Sequence, residues 1–147
     1  MIRQPVATDA VALSDLVRQL GYSAEAAEMP GRLEGLRQDA NAGIFLAEHQ
    51  GVVAGVVTAH IIHSVHKTEP VAMLTVLVVD EKARGAGIGR QLVHHAEQWA
   101  MARGATVISL TSALRRTEAH AFYRRLGYEH TGVRLAKPLQ PAPGGST

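Results

Sequence analysis

Met73-Leu74-Thr75-Val76-Leu77-Val78-Val79 is followed by Asp80-Glu81-Lys82-Ala83 and then by Arg84-Gly85-Ala86-Gly87-Ile88-Gly89-Arg90. The apolar run Met73–Val79 reads as a buried strand and the charged residues after it as a short loop. Three glycines at alternate positions then lead into a helix, with Ile88, Leu92, Ala96 and Trp99 on one stripe, widened by Val93 and Ala100. Gly104 stops that helix just after Arg103.

A strand, a glycine turn and a helix in this order make a place for phosphate. Glycine lacks a Cβ, so the loop turns sharply and a ligand can lie against its backbone. The first N–H groups of a helix have no intrahelical partner, and the helix dipole adds roughly half a positive charge at the same end. Arg84 and Arg90 flank the turn with full charges.

Two familiar phosphate loops fail here. The dinucleotide fingerprint G-x-G-x-x-G needs a third glycine where Arg90 stands, and no acidic residue follows about twenty positions on, where Leu110 sits. The ATP-type loop needs Gly-Lys-Ser/Thr, which does not occur. What does fit is R-x-x-G-x-G, from Arg84 to Gly89. This resembles motif A of the GNAT-type N-acetyltransferases, which bind acetyl-CoA. A second stretch, Ala119-His120-Ala121-Phe122-Tyr123-Arg124-Arg125-Leu126-Gly127-Tyr128, resembles motif B of the same family, A-x-x-F-Y-x-x-x-G-[FY]. The two motifs keep the family's order and spacing, and the resemblance extends to about Leu139. The amino-terminal region Ile2–Leu36 is similar to the branch that acetylates small-molecule amines, often labelled aminoglycoside-acetyltransferase-like.

The resemblance implies an α/β fold, a mixed and mostly antiparallel sheet flanked by helices and splayed between its fourth and fifth strands, with acetyl-CoA in the splay. It implies that Leu77, Val78 and Val79 offer backbone groups to the pantetheine arm, which lies along the strand like an added strand. One N–H there would polarise the thioester carbonyl. It further implies that Arg84, Gly85, Ala86, Gly87, Ile88, Gly89 and Arg90 hold the pyrophosphate. Tyr123 would stand near the sulfur as general acid; apart from the motif it would read as a core tyrosine on a helix stripe. The implied reaction is direct attack of a primary amine, most simply that of a small molecule, on the acetyl thioester in a ternary complex. The alternatives are a protein or peptide N-acetyltransferase and a weakly catalytic acyl-CoA-binding module.

The residues suit that chemistry. Direct attack needs no enzyme nucleophile, and the chain has no cysteine. A thiol resembling Cys titrates near 8.5 and a phenol near 10, so a tyrosine hydroxyl can give a proton to a departing thiolate without being ionised at rest. A lysine-like amine is neutral only about once in a few thousand molecules at pH 7, so a general base helps. Relatives often place a glutamate in the motif A strand, but Met73-Leu74-Thr75-Val76 holds no carboxylate. Glu69, His63 and His66 are the candidates instead, with Glu69 taken as the catalytic carboxylate. Relatives also carry an asparagine before the motif B helix; the counterparts here are Ala113 or Arg116, and Arg116 can reach a phosphate.

The rest of the chain gives context. It has 147 residues and a formal net charge of +2, so nothing compels a nucleic-acid partner. No apolar run approaches spanning length and no signal-peptide pattern opens the chain, so no membrane partner and a cytoplasmic setting are expected. Ile2–Val6 reads as a strand. Thr8 or Asp9 can cap a helix bearing Leu13, Leu16, Val17 and Leu20, ended by Gly21. A second helix follows Ser23, with Pro30-Gly31 breaking or kinking it before Leu33 and Leu36. Ile44–Glu48 and Val52–Ile62 read as a hairpin about His49-Gln50-Gly51. Ala105–Thr111 reads as a strand, Thr117–Leu126 as a helix with Ala119, Phe122, Tyr123 and Leu126 on one stripe closed by Gly127, and Tyr128–Leu139 as one or two last strands. Residues 1–140 would form a single domain, residues 141–147 a frayed tail, and a homodimer is expected, as in many relatives. His60, His63 and His66 do not make a metal site, because strand residues three apart face opposite sides. His94-His95 would meet solvent or a partner, and His120 would be structural or near the cofactor.

Overall fold

β3 (Val52–Ile62) is the axis of the structure. Its sequence is β-branched or small at nearly every position, and most of it is buried on both faces. It pairs antiparallel with β2 (Ala42–His49) on one side and with β4 (Val71–Val79) on the other. The outer strands are β1 (Ile2–Arg3), antiparallel to β2, and β5 (Ile108–Leu110), parallel to β4. The computed structural model describes residues 1–111 and 117–139, and its contacts form two compact units, Met1–Leu110 and Thr111–Thr147.

In the first unit helices cover the sheet on both faces. α1 (Ala10–Gln19) and α2 (Met29–Gln38) bury Leu13, Leu16, Met29 and Leu33 against Leu46, Val56 and Val78. α3 (Ile88–Ala102) lies on the other face, with the expected residues Ile88, Leu92, Val93, Ala96 and Ala100 buried. Pro30 starts α2 rather than interrupting it. It occupies the first turn, where its missing N–H costs no hydrogen bond. The first strand stops at Arg3, and a 3-10 turn over Ala7–Asp9 follows it. The hairpin turn has Gln50 and Gly51 both left-handed, at φ 53° and 81°, the twist a two-residue connection between right-twisted strands requires.

α3 can sit close to the sheet because two strand positions lack a side chain. A Cβ on Gly43 would lie 2.7 Å from the Trp99 ring, and one on Gly55 would lie 2.9 Å from Leu92 Cδ1 and 3.1 Å from the Val78 carbonyl oxygen. His95 is held here too, its ring edge-on to Phe45 at 4.4 Å between centroids, so only His94 of that pair is exposed. Arg103 covers the Trp99 ring at 4.5 Å.

The amino-terminal strand is fastened by charge. Arg3 donates to both Asp9 carboxylate oxygens, at 2.8 and 2.9 Å, and through Nε to Glu48 at 2.6 Å. The Val6 N–H adds a third bond to Asp9, at 2.7 Å. These partners, Arg3 foremost, hold the Asp9 carboxyl below the usual carboxylate range against the opposing effect of burial, and Arg3 is held above its ordinary value.

In the second unit α4 (Thr117–Arg125) ends on Gly127, at φ 95°. Gly127 N–H donates to the Arg124 carbonyl and Tyr128 N–H to the Tyr123 carbonyl, both at 3.0 Å, and the Tyr123 and Tyr128 rings meet at 5.7 Å. This is the Schellman closure, with its apolar contact made by two tyrosines. Beyond it the structure corrects the reading of Tyr128–Leu139, which forms no strand. Val133 and Leu135 alternate as strand residues would, yet both are more than four-fifths exposed, and nothing among the described residues buries them. The expectation for residues 141–147 falls outside the described residues.

Three stability outcomes follow. Gly43→Ala forces a methyl into the Trp99 ring; overpacking of this kind costs about 1–3 kcal/mol and outweighs the fraction of a kcal/mol that removing a strand glycine returns. Gly31→Ala, at an α2 position with open space around it, should raise stability by about 0.5–1 kcal/mol. Urea melts of the two variants check the opposite signs. For Asp9, the ionised carboxylate favours the fold, so its contribution is complete above the unfolded carboxylate value of about 3.9 and drains away as pH falls through the lower folded value. The stability gap between the wild type and Asp9→Asn should be about 1–3 kcal/mol at neutral pH and should narrow progressively as the pH falls below about 4.

Candidate active site

The turn after β4 is built in two steps. Asp80 accepts from the Lys82 N–H at 2.9 Å through its side chain and from Ala83 N–H at 2.8 Å through its carbonyl, which winds Glu81–Ala83 into a 3-10 turn. Gln19 at the end of α1 accepts from the Glu81 N–H at 3.1 Å. The chain then passes through Gly85 and Gly87, left-handed at φ 87° and 80°. A Cβ on either would meet nothing within 4 Å. Backbone conformation therefore requires these glycines, packing does not, and the space over the turn is open.

Gly87 caps α3, and its carbonyl accepts from the Gln91 N–H at 3.1 Å, which opens the helical ladder. The N–H groups of Ile88, Gly89 and Arg90 precede that bond and have no place in the ladder. Ile88 is buried and anchors the helix start, while Gly85, Ala86 and Arg90 are exposed. Arg84 is exposed and touches the Val79 carbonyl through Nε at 3.4 Å. Among the described residues neither Arg84 nor Arg90 has an acidic partner. The arrangement is an open ring of backbone donors with two free cations, suited to a polyanion.

β4 leads into this turn with one edge uncovered. β5 pairs only with Ala72, Met73 and Leu74, which splays the sheet; from Thr75 to Val79 that edge has no strand partner among the described residues. The Asp80 N–H donates to the Ala54 carbonyl at 2.7 Å, and antiparallel pairing alternates. Val78 and Val76 therefore turn their backbone groups to β3, whereas Leu77 and Val79 turn theirs to the open edge.

The alternation is reset upstream. Thr58 pairs with Val76 but Ala59 pairs with Leu74, so Thr75 is an extra residue, a β-bulge. Ala72 packs with Ile61 and Ala100 on the α3 side, while Val76 and Val78 join the α1–α2 core: the bulge moves the even-numbered side chains from one face to the other. Thr75 itself meets two polar residues of β3. Its hydroxyl lies 2.6 Å from Thr58 Oγ1, 3.3 Å from the Thr58 carbonyl and 3.3 Å from His60 Nδ1. Thr58 is buried, His60 half-buried and Thr75 exposed.

The other expected groups lie apart from this cluster. Glu69 and His63 are exposed in the loop between β3 and β4, and His66 is exposed with Nδ1 2.9 Å from Ser64 Oγ. His60, His63 and His66 form no metal-binding group, and none occurs among the described residues. Tyr123 is half-buried on α4 with the Phe122 ring edge-on at 5.2 Å; His120 is half-buried on the same helix. Ala113 and Arg116 lie outside the described residues. Sequence reasoning passed over Thr58 and Thr75 and weighed His60 only for metal. The signal was there: Val56, Thr58 and His60 are successive same-face positions of a strand that is otherwise apolar on that face.

Comparison with known proteins agrees with this geometry. The model of the Acetyltransferase (GNAT) family matches residues 11–128. An aminoalkylphosphonate N-acetyltransferase of Salmonella typhimurium is 35% identical over 101 residues, spanning 69% of this chain and 66% of that protein. An aminoglycoside N(6')-acetyltransferase type 1 of Stenotrophomonas maltophilia is 31% identical over 147 residues, spanning 96% of this chain and 95% of its own. Among solved structures, the aminoglycoside N-acetyltransferase AAC(6')-Iy in complex with CoA superposes with a TM-score of 0.83 over 95% of this chain and 94% of that one, at 22% identity, and so supports the fold. With the splayed five-stranded sheet and the glycine turn at the head of α3, these matches place the chain in the GNAT family of acetyl-CoA-dependent N-acetyltransferases.

Proposed function

We propose that this protein transfers the acetyl group of acetyl-CoA to the primary amine of a small molecule, by direct attack within a ternary complex. The observation that carries the reading is the pairing of an open strand edge with an open donor ring: Leu77 and Val79 face outward, and the Gly85–Gly89 turn follows immediately. In the proposed complex the pyrophosphate sits on the N–H groups of Ile88, Gly89 and Arg90, neutralised by Arg84 and Arg90, with Arg116 as a further cation. Gly85 and Gly87 allow the ligand to approach Ala86 and the loop backbone. The pantetheine arm runs back along β4, bonded to Leu77 and Val79, with Val78 holding the strand to β3. One N–H of that edge polarises the thioester carbonyl. Tyr123 gives the proton to the departing thiolate, and Glu69 is the carboxylate candidate for the base. The acceptor class follows the relatives, whose names specify aminoalkylphosphonates and aminoglycosides. The proposed setting is the cytoplasm, with a homodimer as the assembly.

Two measurements test this reading. In calorimetry the wild type should bind CoA and acetyl-CoA alike, since most contacts go to the shared arm and pyrophosphate, and Gly87→Val should abolish both while the protein stays folded. A Gly87→Val protein that binds CoA normally would move the ligand elsewhere. In an acetyl-CoA consumption screen over aminoalkylphosphonates, aminoglycosides, polyamines, amino acids and peptides, a small-molecule amine should be the best acceptor. Against that acceptor Tyr123→Phe should lower kcat and kcat/KM together by about 10²–10⁴, with CoA affinity and melting temperature little changed. Unfolding instead would mark Tyr123 as a packing residue.

A further inference from the structure

The inference concerns the base, and it rests on the acetyl-transfer reading above. The phosphate turn abuts Val79, so an arm laid on the open edge of β4 runs back toward Thr75. Strands rise about 3.3 Å per residue, so the four residues from Val79 to Thr75 span roughly 13 Å, about the reach of an extended pantetheine arm. The reacting end of the donor therefore comes level with the bulge. Thr75 stands there, bound to His60.

One proton assignment of this trio leaves a free lone pair on the imidazole. In it the Thr75 hydroxyl gives its one proton to the Thr58 carbonyl, 3.3 Å away. Its oxygen then accepts twice, from the Thr58 hydroxyl at 2.6 Å and from His60 at 3.3 Å. With that assignment His60 carries its proton on Nδ1, which leaves the lone pair on Nε2. Among the described residues nothing bonds Nε2. Imidazole is the ordinary side chain that is basic and yet largely uncharged near neutrality.

We propose that His60 Nε2 is the general base of this enzyme, with Thr75 and Thr58 as positioning residues that hold its tautomer. An ammonium acceptor gives one proton to Nε2, and the freed amine attacks the thioester carbonyl carbon. Collapse of the adduct breaks the carbon–sulfur bond, the thiolate takes the Tyr123 proton, and the second nitrogen-bound proton passes through water to restore the Tyr123 phenol. His60 passes its proton to water. The products are the amide, CoA and one proton released. The trio lies on the sheet face that carries Val56, with Thr58 buried, His60 half-buried and Thr75 exposed.

The groups around His60 do not compete for this role. Its strand partners are Ala42 on β2 and Met73 on β4, both uncharged. The titratable residues of the flanking segments are Asp39 before β2 and His63, His66, Lys67 and Glu69 in the β3–β4 loop. All five are exposed, and none makes a hydrogen bond or ion pair with the imidazole among the described residues.

The test has a substrate-free arm and a kinetic arm. Long-range nitrogen–proton NMR spectra of the wild type at pH 8 should show His60 protonated on Nδ1; an Nε2–H tautomer overturns the proposal. In the kinetic arm acetyl-CoA consumption is followed with 2-aminoethylphosphonate, sisomicin and putrescine. For whichever amines the wild type acetylates, His60→Gln should lower kcat/KM about 10²–10⁴-fold at pH 7, with CoA binding and melting temperature retained. The deficit should shrink at pH 9–10, where the acceptor deprotonates without help. Thr75→Val, which keeps the shape and loses the hydroxyl, should show a smaller loss of the same pH form. If His60→Gln turns over within threefold of an active wild type, His60 is not the base and the acetyl-transfer reading stands. A wild type that binds no CoA and consumes no acetyl-CoA overturns both. A His60→Gln protein that has lost its fold is replaced by His60→Asn, judged by the same threefold limit.

Discussion

The close seat of α3 on the sheet is the constraint on which everything else here depends. A helix this near a strand needs strand positions without side chains, and Gly43 and Gly55 supply them beneath Trp99 and Leu92. That seat sets where α3 begins. Because Ile88 is buried against Gly55, the left-handed Gly87 and the first helical N–H groups come to rest at the end of β4. A bulkier sheet surface would push the helix outward and carry its positive end away from the strand edge.

The second constraint is the bulge. A sheet covered by helices on both faces has little room for polar groups, because an unpaired hydroxyl or imidazole costs heavily there. The extra residue at Thr75 answers this for β3 by setting its hydroxyl against both Thr58 and His60, so that each of those polar side chains has a partner. It also moves the outward-facing backbone groups of β4 from Ala72 and Leu74, which serve β5, to Leu77 and Val79, which face an open edge.

Much of this was legible in the chain. The strand, glycine turn and amphipathic helix of residues 73–103 state their own structure, because glycine, charge and a 3.6-residue stripe each act locally. Other features depend on partners distant in sequence. Pro30 looks like an interruption until the helix is seen to start there. Val133 and Leu135 alternate as strand residues do, but alternation predicts a strand only where something covers it. The Thr75 bulge was hidden for the same reason: a register slip belongs to two strands, and one strand's sequence does not contain it. Its trace was polar residues at Thr58 and His60 within an apolar strand face.

The closure of α4 has its own consequence. Tyr123 supplies the carbonyl that receives the Tyr128 N–H, and the two rings pack across that bond. The entropy of fixing the Tyr123 side chain is thus largely spent when the helix terminates. The phenol is thus ordered by a backbone turn that Gly127 permits at φ 95°, before any ligand arrives. Sequence drift at the exposed positions of this helix can proceed without disturbing that order, whereas Gly127, which carries no side chain, is tied to it as firmly as the tyrosine.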